Sequence, residues 1–152
     1  MRYISAKRYG HDRGFSCCFR QWRARSHCSQ LHGYALAFKL TFSAAKLDER
    51  NWVIDFGGLS EIKEWLENMF DHTTLVARDD PEIEWFAAAH EKGLLRLTII
   101  QDVGCEAVAK AVYNFTNDWL ERMKHAPRVR LDKVEVWEHE GNSAAYGIDQ
   151  HI

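Results

Sequence analysis

The chain has 152 residues, 46% of them hydrophobic, enough apolar material for one compact domain spanning residues 1–152. Its 20 basic and 22 acidic residues leave a formal charge of −2, so no basic surplus points to nucleic acid and no acidic tail points to disorder. No apolar run approaches the ~20 residues of a membrane span, and no apolar stretch follows a positive segment at the start, so the expectation is a cytoplasmic protein without signal peptide or membrane anchor.

The expected elements run as follows. Arg2 to Tyr9 reads as a first strand, His11 to Gly14 as a polar turn, and Phe15 to Trp22 as a second strand rich in aromatics and cysteine. A basic loop from Trp22 to Gln30 leads into the clearest strand, Leu31 to Ala44, where Tyr34, Leu36, Phe38, Leu40 and Phe42 fall on one face. After the polar turn Lys46 to Asn51, Trp52 to Phe56 reads as a short apolar strand or extended segment. Leu59, Ile62, Leu66 and Met69 have helical spacing, and Ser60 with Glu61 starts that helix. Asp71-His72-Thr73-Thr74 ends it in a loop. Asp79-Asp80-Pro81 opens a second helix, Glu82 to about Lys92, closed by Gly93. Leu94 to Ile100 is a short strand or extended link. Glu106 to Met123 is an amphipathic helix with Val108, Val112, Phe115 and Trp119 on its apolar face. Pro127 breaks it, a strand follows from Val129 into Trp137-Glu138-His139, Gly141-Asn142 turns the chain, and Ser143 to Ile148 returns. Strands, then helices, then strands is an α+β order.

The cysteines are Cys17, Cys18, Cys28 and Cys105. With one adjacent pair and no CxxC spacing, they read as free thiols in a reducing compartment. Six tryptophans and eight phenylalanines suit a core, a pocket lining or a subunit interface.

Polar groups able to move protons recur at element ends. Cys28 lies four residues before His32, which shares a strand face with Tyr34 at the mouth of the long strand. Asp71-His72 follows a helix, and Glu138 continues the face of Val134 and Val136. A carboxylate that orients an imidazole beside a thiol is the equipment of proton transfer at carbon or a carbonyl. By spacing alone, Asp71-His72 is more often a helix end with a favourably placed imidazole, and a lone cysteine such as Cys28 more often an inert thiol. Glu138 on an apolar face requires a basic partner or a ligand, since an unpaired buried carboxylate costs several kcal/mol, roughly.

Cys28-Ser29-Gln30-Leu31-His32-Gly33 before an alternating strand, Trp52-Val53-Ile54-Asp55-Phe56, Phe70-Asp71-His72 at a helix end and Val134-Glu135-Val136-Trp137-Glu138 fall in order along the chain. Together they resemble the 6-pyruvoyltetrahydropterin synthase and 6-carboxytetrahydropterin synthase family. The resemblance implies the tunnelling fold, a four-stranded antiparallel sheet with helices on one face. It also implies a homo-oligomeric barrel of two stacked trimers, a homohexamer, with active sites between subunits. Such joining of sheets would remove their exposed edges. It implies Cys28, Asp71 and His72 as catalytic residues and Glu138 as the clamp on a pterin, accepting two parallel hydrogen bonds from its 2-amino group and N3–H. Gly104-Cys105-Glu106 stands where the family has threonine or serine before a glutamate, so Cys105 and Glu106 are expected at the pterin edge without the hydroxyl.

The family's zinc is held by three histidines. Here Phe19 and Tyr34 occupy two of those positions and only His32 remains. One histidine does not hold zinc, which needs three or four ligands. Either a site is rebuilt from Cys17, His32 and a third group, or Phe19 and Tyr34 fill the cavity and His32 is a hydrogen-bonded pocket residue. In the second case Tyr34 is a donor to a substrate oxygen, with Arg20 or Arg23 binding phosphate. The implied activity is a lyase acting on dihydroneopterin triphosphate or a related pterin and feeding queuosine-type 7-deazaguanine synthesis. The alternative is a pterin- or purine-binding homologue that has lost zinc and that activity.

Overall fold

A single 13-residue strand organises the computed structural model, which describes residues 1–148. Strand β3 (His32–Ala44) is flanked on one side by β1 (Tyr3–Tyr9) and β2 (Phe15–Phe19), which share that side end to end. Phe15 pairs with Leu36 and Phe19 with His32, while Tyr9 pairs with Phe38 and Tyr3 with Ala44. The break between them is a 3-10 turn at His11–Arg13, ended by Gly14 at φ 73°, the left-handed region that glycine tolerates. On the other side of β3 runs β6 (Val129–His139), then β7 (Asn142–Gly147), all antiparallel.

This antiparallel unit fills four strand positions, as the resemblance implies, but the sheet does not stop there. Strand β4 (Thr73–Ala77) lies parallel beside β2, and β5 (Leu97–Ile100) lies parallel beside β4, giving seven strands and a mixed sheet. The four-stranded, purely antiparallel expectation is therefore too small. The missed strand begins at Thr73, inside the segment read as a loop. All five of its residues are buried, so it carries no polar-apolar alternation to betray it. Trp52–Phe56 departs in the other direction. The Asp48 carboxylate accepts from the N–H groups of Arg50 and Trp52, both at 2.9 Å, and a 3-10 turn follows at Phe56–Gly58, so this segment is turn rather than strand.

Helices α1 (Ser60–Phe70) and α3 (Cys105–Arg122) cover one face of the sheet, while α2 (Ile83–Glu91) packs against β5. Leu36, Phe38, Leu40 and Phe42 of β3 are fully buried under them, with Phe15 and Phe19 of β2 and Leu131, Val134 and Val136 of β6. Helix α1 contributes Ile62, Leu66 and Phe70, and α3 contributes Val108, Val112, Trp119 and Leu120. Trp65 and Phe115 stack between the helices with ring centres 4.2 Å apart and planes 5° from parallel. Each such side chain adds about 1.5–3 kcal/mol by leaving water. Tyr34 opens the same face but is only half-buried, so the core thins out at the start of β3, where the polar groups gather. Among the described residues no helix is long and apolar enough to cross a membrane.

Candidate active site

Glu138 takes its position from a defect in strand pairing. Residues Val134 and Val136 of β6 are buried, and period two sends Glu138 to the same face. The ladder with β7 slips between Trp137 and His139, so Glu138 sits at a bulge, half-buried, instead of being driven into the core. The bulge removes the need for a basic partner that the apolar face suggested.

Two other elements bring side chains within electrostatic reach of that carboxylate, and a third brings Cys28 within reach of Tyr34. Cys105 is the first residue of α3, buried, and its thiol is pushed up to about 12 by burial and then by the charges of Glu138 and Glu106. The Tyr34 phenol on β3 is raised by burial first, then by Glu138, Cys28 and Cys105. Cys28 is the middle residue of a 3-10 turn, His27–Ser29, and its N–H donates to Ser26 Oγ at 3.3 Å. Cys28, Tyr34, Cys105 and Glu138 therefore form one cluster, fed by a loop, two strands and a helix start. Glu106 is exposed at its margin. Gly104, which precedes α3 at φ 107°, has to be glycine: a side chain there would run into the Gln21 amide, which donates to Val103 O at 3.0 Å.

Asp71 and His72 lie elsewhere. His72 Nδ1 and Asp71 Oδ1 are 2.8 Å apart, and Ser16 N–H donates to the same oxygen at 3.2 Å. Burial alone would raise the Asp71 carboxyl, but the bonds from His72 and Ser16 outweigh it and hold it below the usual carboxylate range. His72 has φ 50°, uncommon for a residue with a Cβ. Arg96 supports that turn by donating to three carbonyls, Asn68 at 2.7 Å, Asp71 at 2.5 Å and His72 at 3.3 Å. The imidazole is 86% exposed. It opens into a groove of about 510 Å³ shared with Tyr34, Cys18, Thr74 and Arg96, whose walls do not include Cys28, Cys105 or Glu138. Of the expected trio, Asp71 and His72 are in contact, and Cys28 is not on the walls of the groove that His72 faces.

The residues present do not fit a three-histidine zinc site. Phe19, His32 and Tyr34 pack ring to ring, with centres 5.3 Å (Phe19–His32), 5.9 Å (Phe19–Tyr34) and 5.4 Å (His32–Tyr34) apart. Imidazoles sharing one zinc at about 2.0–2.1 Å would place their centres roughly 5 Å apart. The trio has that spacing, but two of its rings offer no nitrogen. His32 Nδ1 lies 2.7 Å from Gln30 O, a bond it makes by donating. Among the described residues no group of three His, Cys, Asp or Glu is placed to hold a metal ion. The rebuilt set with Cys17 finds no third ligand there; Cys17 is buried and pushed up to about 12 by burial, then by Cys18, Cys105 and Asp71.

The two arginines expected at phosphate are engaged. Arg20 holds Asp80 by Nε to Oδ2 at 2.9 Å and Nη2 to Oδ1 at 2.7 Å, and Arg23 holds Asp79 at 2.6 Å. Asp79 and Asp80 read as a helix start, and Asp80 does accept from Glu82 N–H at 2.9 Å. The same carboxylate also anchors the Cys28 loop, a role hidden behind the capping signal. Arg96 and Ser16 carried no sequence signal at all, because their partners come from 25 and 55 residues away.

Comparison with known proteins places this geometry. The chain is 27% identical over 121 residues to 6-carboxy-5,6,7,8-tetrahydropterin synthase of Aquifex aeolicus, covering 78% of this chain and 75% of that protein. A match to the enzyme of the same name from Rickettsia typhi is 37% identical over 60 residues, 39% of this chain, and spans only 44% of that relative's length. Among solved structures, an uncharacterized protein from Wolinella succinogenes superposes with a TM-score of 0.83 at 17% identity, covering 98% of this chain and 99% of that one. The 6-pyruvoyl tetrahydropterin synthase of Plasmodium falciparum gives 0.67 at 15% identity, with 95% and 96% covered. These likenesses show a shared α+β fold. The family model described as 6-pyruvoyl tetrahydropterin synthase matches residues 10–149, and the chain belongs to that family.

Proposed function

We propose that this protein is a lyase of the 6-carboxy-5,6,7,8-tetrahydropterin synthase type, acting on dihydroneopterin triphosphate or a related pterin in queuosine-type 7-deazaguanine synthesis in the cytoplasm. The observation that carries the reading is Glu138, half-buried at a strand bulge beside Tyr34, Cys105 and the Cys28 loop. A carboxylate so placed accepts two parallel N–H bonds from a 2-amino-4-oxo pyrimidine edge. The backbone N–H groups opening α3 at Cys105 and Glu106 line the same edge. Cys28 and the Asp71–His72 pair exchange the protons on the substrate's side-chain and ring carbons, and Tyr34 donates to a side-chain oxygen. Because His72 opens into a groove whose walls do not include Cys28, the complete site in this reading takes Asp71 and His72 from a neighbouring copy, in a homohexamer of stacked trimers.

A second reading rests on the aromatic trio. Phe19 and Tyr34 stand where zinc-binding imidazoles would serve the family's chemistry, which favours a pterin- or purine-binding homologue without the original lyase activity. Turnover of dihydroneopterin triphosphate, with and without a chelator, separates the two. Formation of 6-carboxytetrahydropterin that disappears in Cys28→Ala while pterin binding persists supports the lyase. Tight pterin binding with no turnover in the wild type replaces it with the binding reading.

A further inference from the structure

The adjacent thiols Cys17 and Cys18 take no part in the chemistry proposed above, and period two along β2 sends them to opposite faces of the sheet. Cys17 is buried in the helix-covered core. Cys18 is partly accessible and lines the groove of about 510 Å³ with His72, Thr74 and Arg96. Gly33 and Ala35 of β3 keep the floor of that groove low; a Cβ at Gly33 would lie 3.7 Å from the Cys18 Cβ.

A nucleophile, a base and a group that orients the base share this groove. Parallel pairing sets Cys18 beside Thr74, with Cys18 Sγ 3.2 Å from Thr74 Oγ1. His72 precedes Thr74 by two residues, about 7 Å along the strand, so imidazole and thiol are neighbours on the groove walls. Asp71 accepts from His72 Nδ1–H at 2.8 Å, which leaves Nε2 as the basic nitrogen. The imidazole is largely exposed and free to turn toward the thiol. Presenting it has a cost: His72 sits at φ 50°, and Arg96 holds that turn by donating to the carbonyls of Asp71 and His72. Among the described residues Arg96 forms no ion pair, so its charge stays at the groove.

We infer that Cys18 is a nucleophilic thiol with His72 of the same chain as its base, and that the groove takes a small carbonyl compound. His72 Nε2 takes the thiol proton, and the sulfur bonds to the carbonyl carbon as the C=O π pair moves to oxygen. The proton then passes from the imidazolium to that oxygen. The product is a hemithioacetal; nothing is oxidised or reduced, and no second reactant is consumed. The Thr74 hydroxyl and the Arg96 charge line the space in which the oxyanion develops. This set is complete in one chain and does not depend on the pterin reading, in which the same imidazole serves Cys28 of a neighbouring copy.

The test is the rate at which iodoacetamide alkylates each cysteine of the full chain at neutral pH, read by peptide mass spectrometry with N-acetylcysteine as the reference thiol. Cys18 should react at least about tenfold faster than the reference. His72→Gly, which suits φ 50° and leaves room for the ring, should remove that advantage. Imidazole added to the variant should restore it, which a collapsed groove would not permit. His72→Asn repeats the test if the glycine variant melts early, since asparagine also tolerates the left-handed region. Glyoxylate should protect Cys18 saturably at concentrations that leave Cys28 open to labelling. A Cys18 rate no faster than the reference, or a fast rate that survives loss of the imidazole, overturns the inference. Slowing confined to Cys28 assigns His72 to that thiol instead and overturns it as well. Equal protection of Cys18 and Cys28 by glyoxylate overturns the carbonyl assignment.

Discussion

Arg20 grips Asp80 through two nearly parallel bonds, 2.9 Å and 2.7 Å, and the guanidinium's remaining Nη1 donates to Ser29 O at 3.3 Å. The Asp80 side chain is 1% exposed, and the pair ties the turn that carries Cys28 to the start of α2. Breaking a buried pair by removing one partner strands the other charge, so Asp80→Ala should destabilise the protein by about 3 kcal/mol. Urea unfolding with an unchanged m-value would measure it. Burial would raise the Asp80 carboxyl, but Arg20 and Glu82 N–H hold it below the usual range. The stability this supplies is fully present above the unfolded pKa, near 3.9, and is lost as pH falls through the lower folded value. The acid limb of the stability curve should therefore flatten in the Asp80 variant.

Glu138 is the residue whose loss should separate binding from folding. It is half-buried at a bulge and has no ion pair among the described residues, so Glu138→Ala strands no buried charge and should change stability by less than about 1 kcal/mol. Pterin affinity should fall by two orders of magnitude or more, roughly 3 kcal/mol for two charge-assisted bonds. Calorimetry with a dihydropterin reads it directly. Unchanged affinity would remove Glu138 from the site.

The parts of the fold that could be read from sequence are those with a period. Leu36 to Phe42 alternate and form the middle of β3; Ile62, Leu66 and Phe70 recur at helical spacing and face the core. Thr73–Ala77 could not be read, because a strand buried on both faces has no alternation and its pairing with β2 is set by residues 56 positions away. The site divides in the same way. Cys28, Tyr34, Cys105 and Glu138 could be named from motifs because each stands at the end of a recognisable element, but the bulge that lifts Glu138 out of the core is a property of the β6–β7 ladder. Arg96 was invisible for a related reason: it donates to backbone carbonyls, and every residue offers one.

The buried thiols give a pH dependence of definite sign. Cys17 and Cys105 are both pushed from 9.0 up to about 12, mainly by burial. Above pH 9 the unfolded chain loses these protons while the folded chain keeps them, so stability declines as pH rises toward 12. The decline is at most roughly 1.4 kcal/mol per pH unit for each thiol. Cys105→Ala should reduce that slope in unfolding curves recorded between pH 9 and 11. At pH 8, iodoacetamide should label Cys28 and Cys18, which are partly accessible, and spare Cys17 and Cys105 until urea is added. Prompt labelling of Cys105 in the folded protein would contradict its burial at the start of α3.

The aromatic trio makes the sharpest structural prediction. Phe19, His32 and Tyr34 have ring centres within 5.3–5.9 Å of one another, close to the spacing of three imidazoles on one zinc. The His32 Nδ1 bond to Gln30 O fixes its tautomer with Nε2 free, as a ligating histidine requires. Phe19→His/Tyr34→His should therefore acquire about one zinc per chain, because the backbone already spaces the three rings as imidazoles on one zinc would be spaced. Phe19 is buried, and burying an imidazole there without metal leaves a polar ring unsatisfied, so the apo double variant should lose about 2–3 kcal/mol that zinc restores. Elemental analysis after dialysis, paired with melting in zinc and in chelator, checks both halves. Adding His32→Ala should abolish the metal and its rescue together. A double variant that folds but takes up no zinc would mean that the ring spacing is a packing accident of β2 and β3.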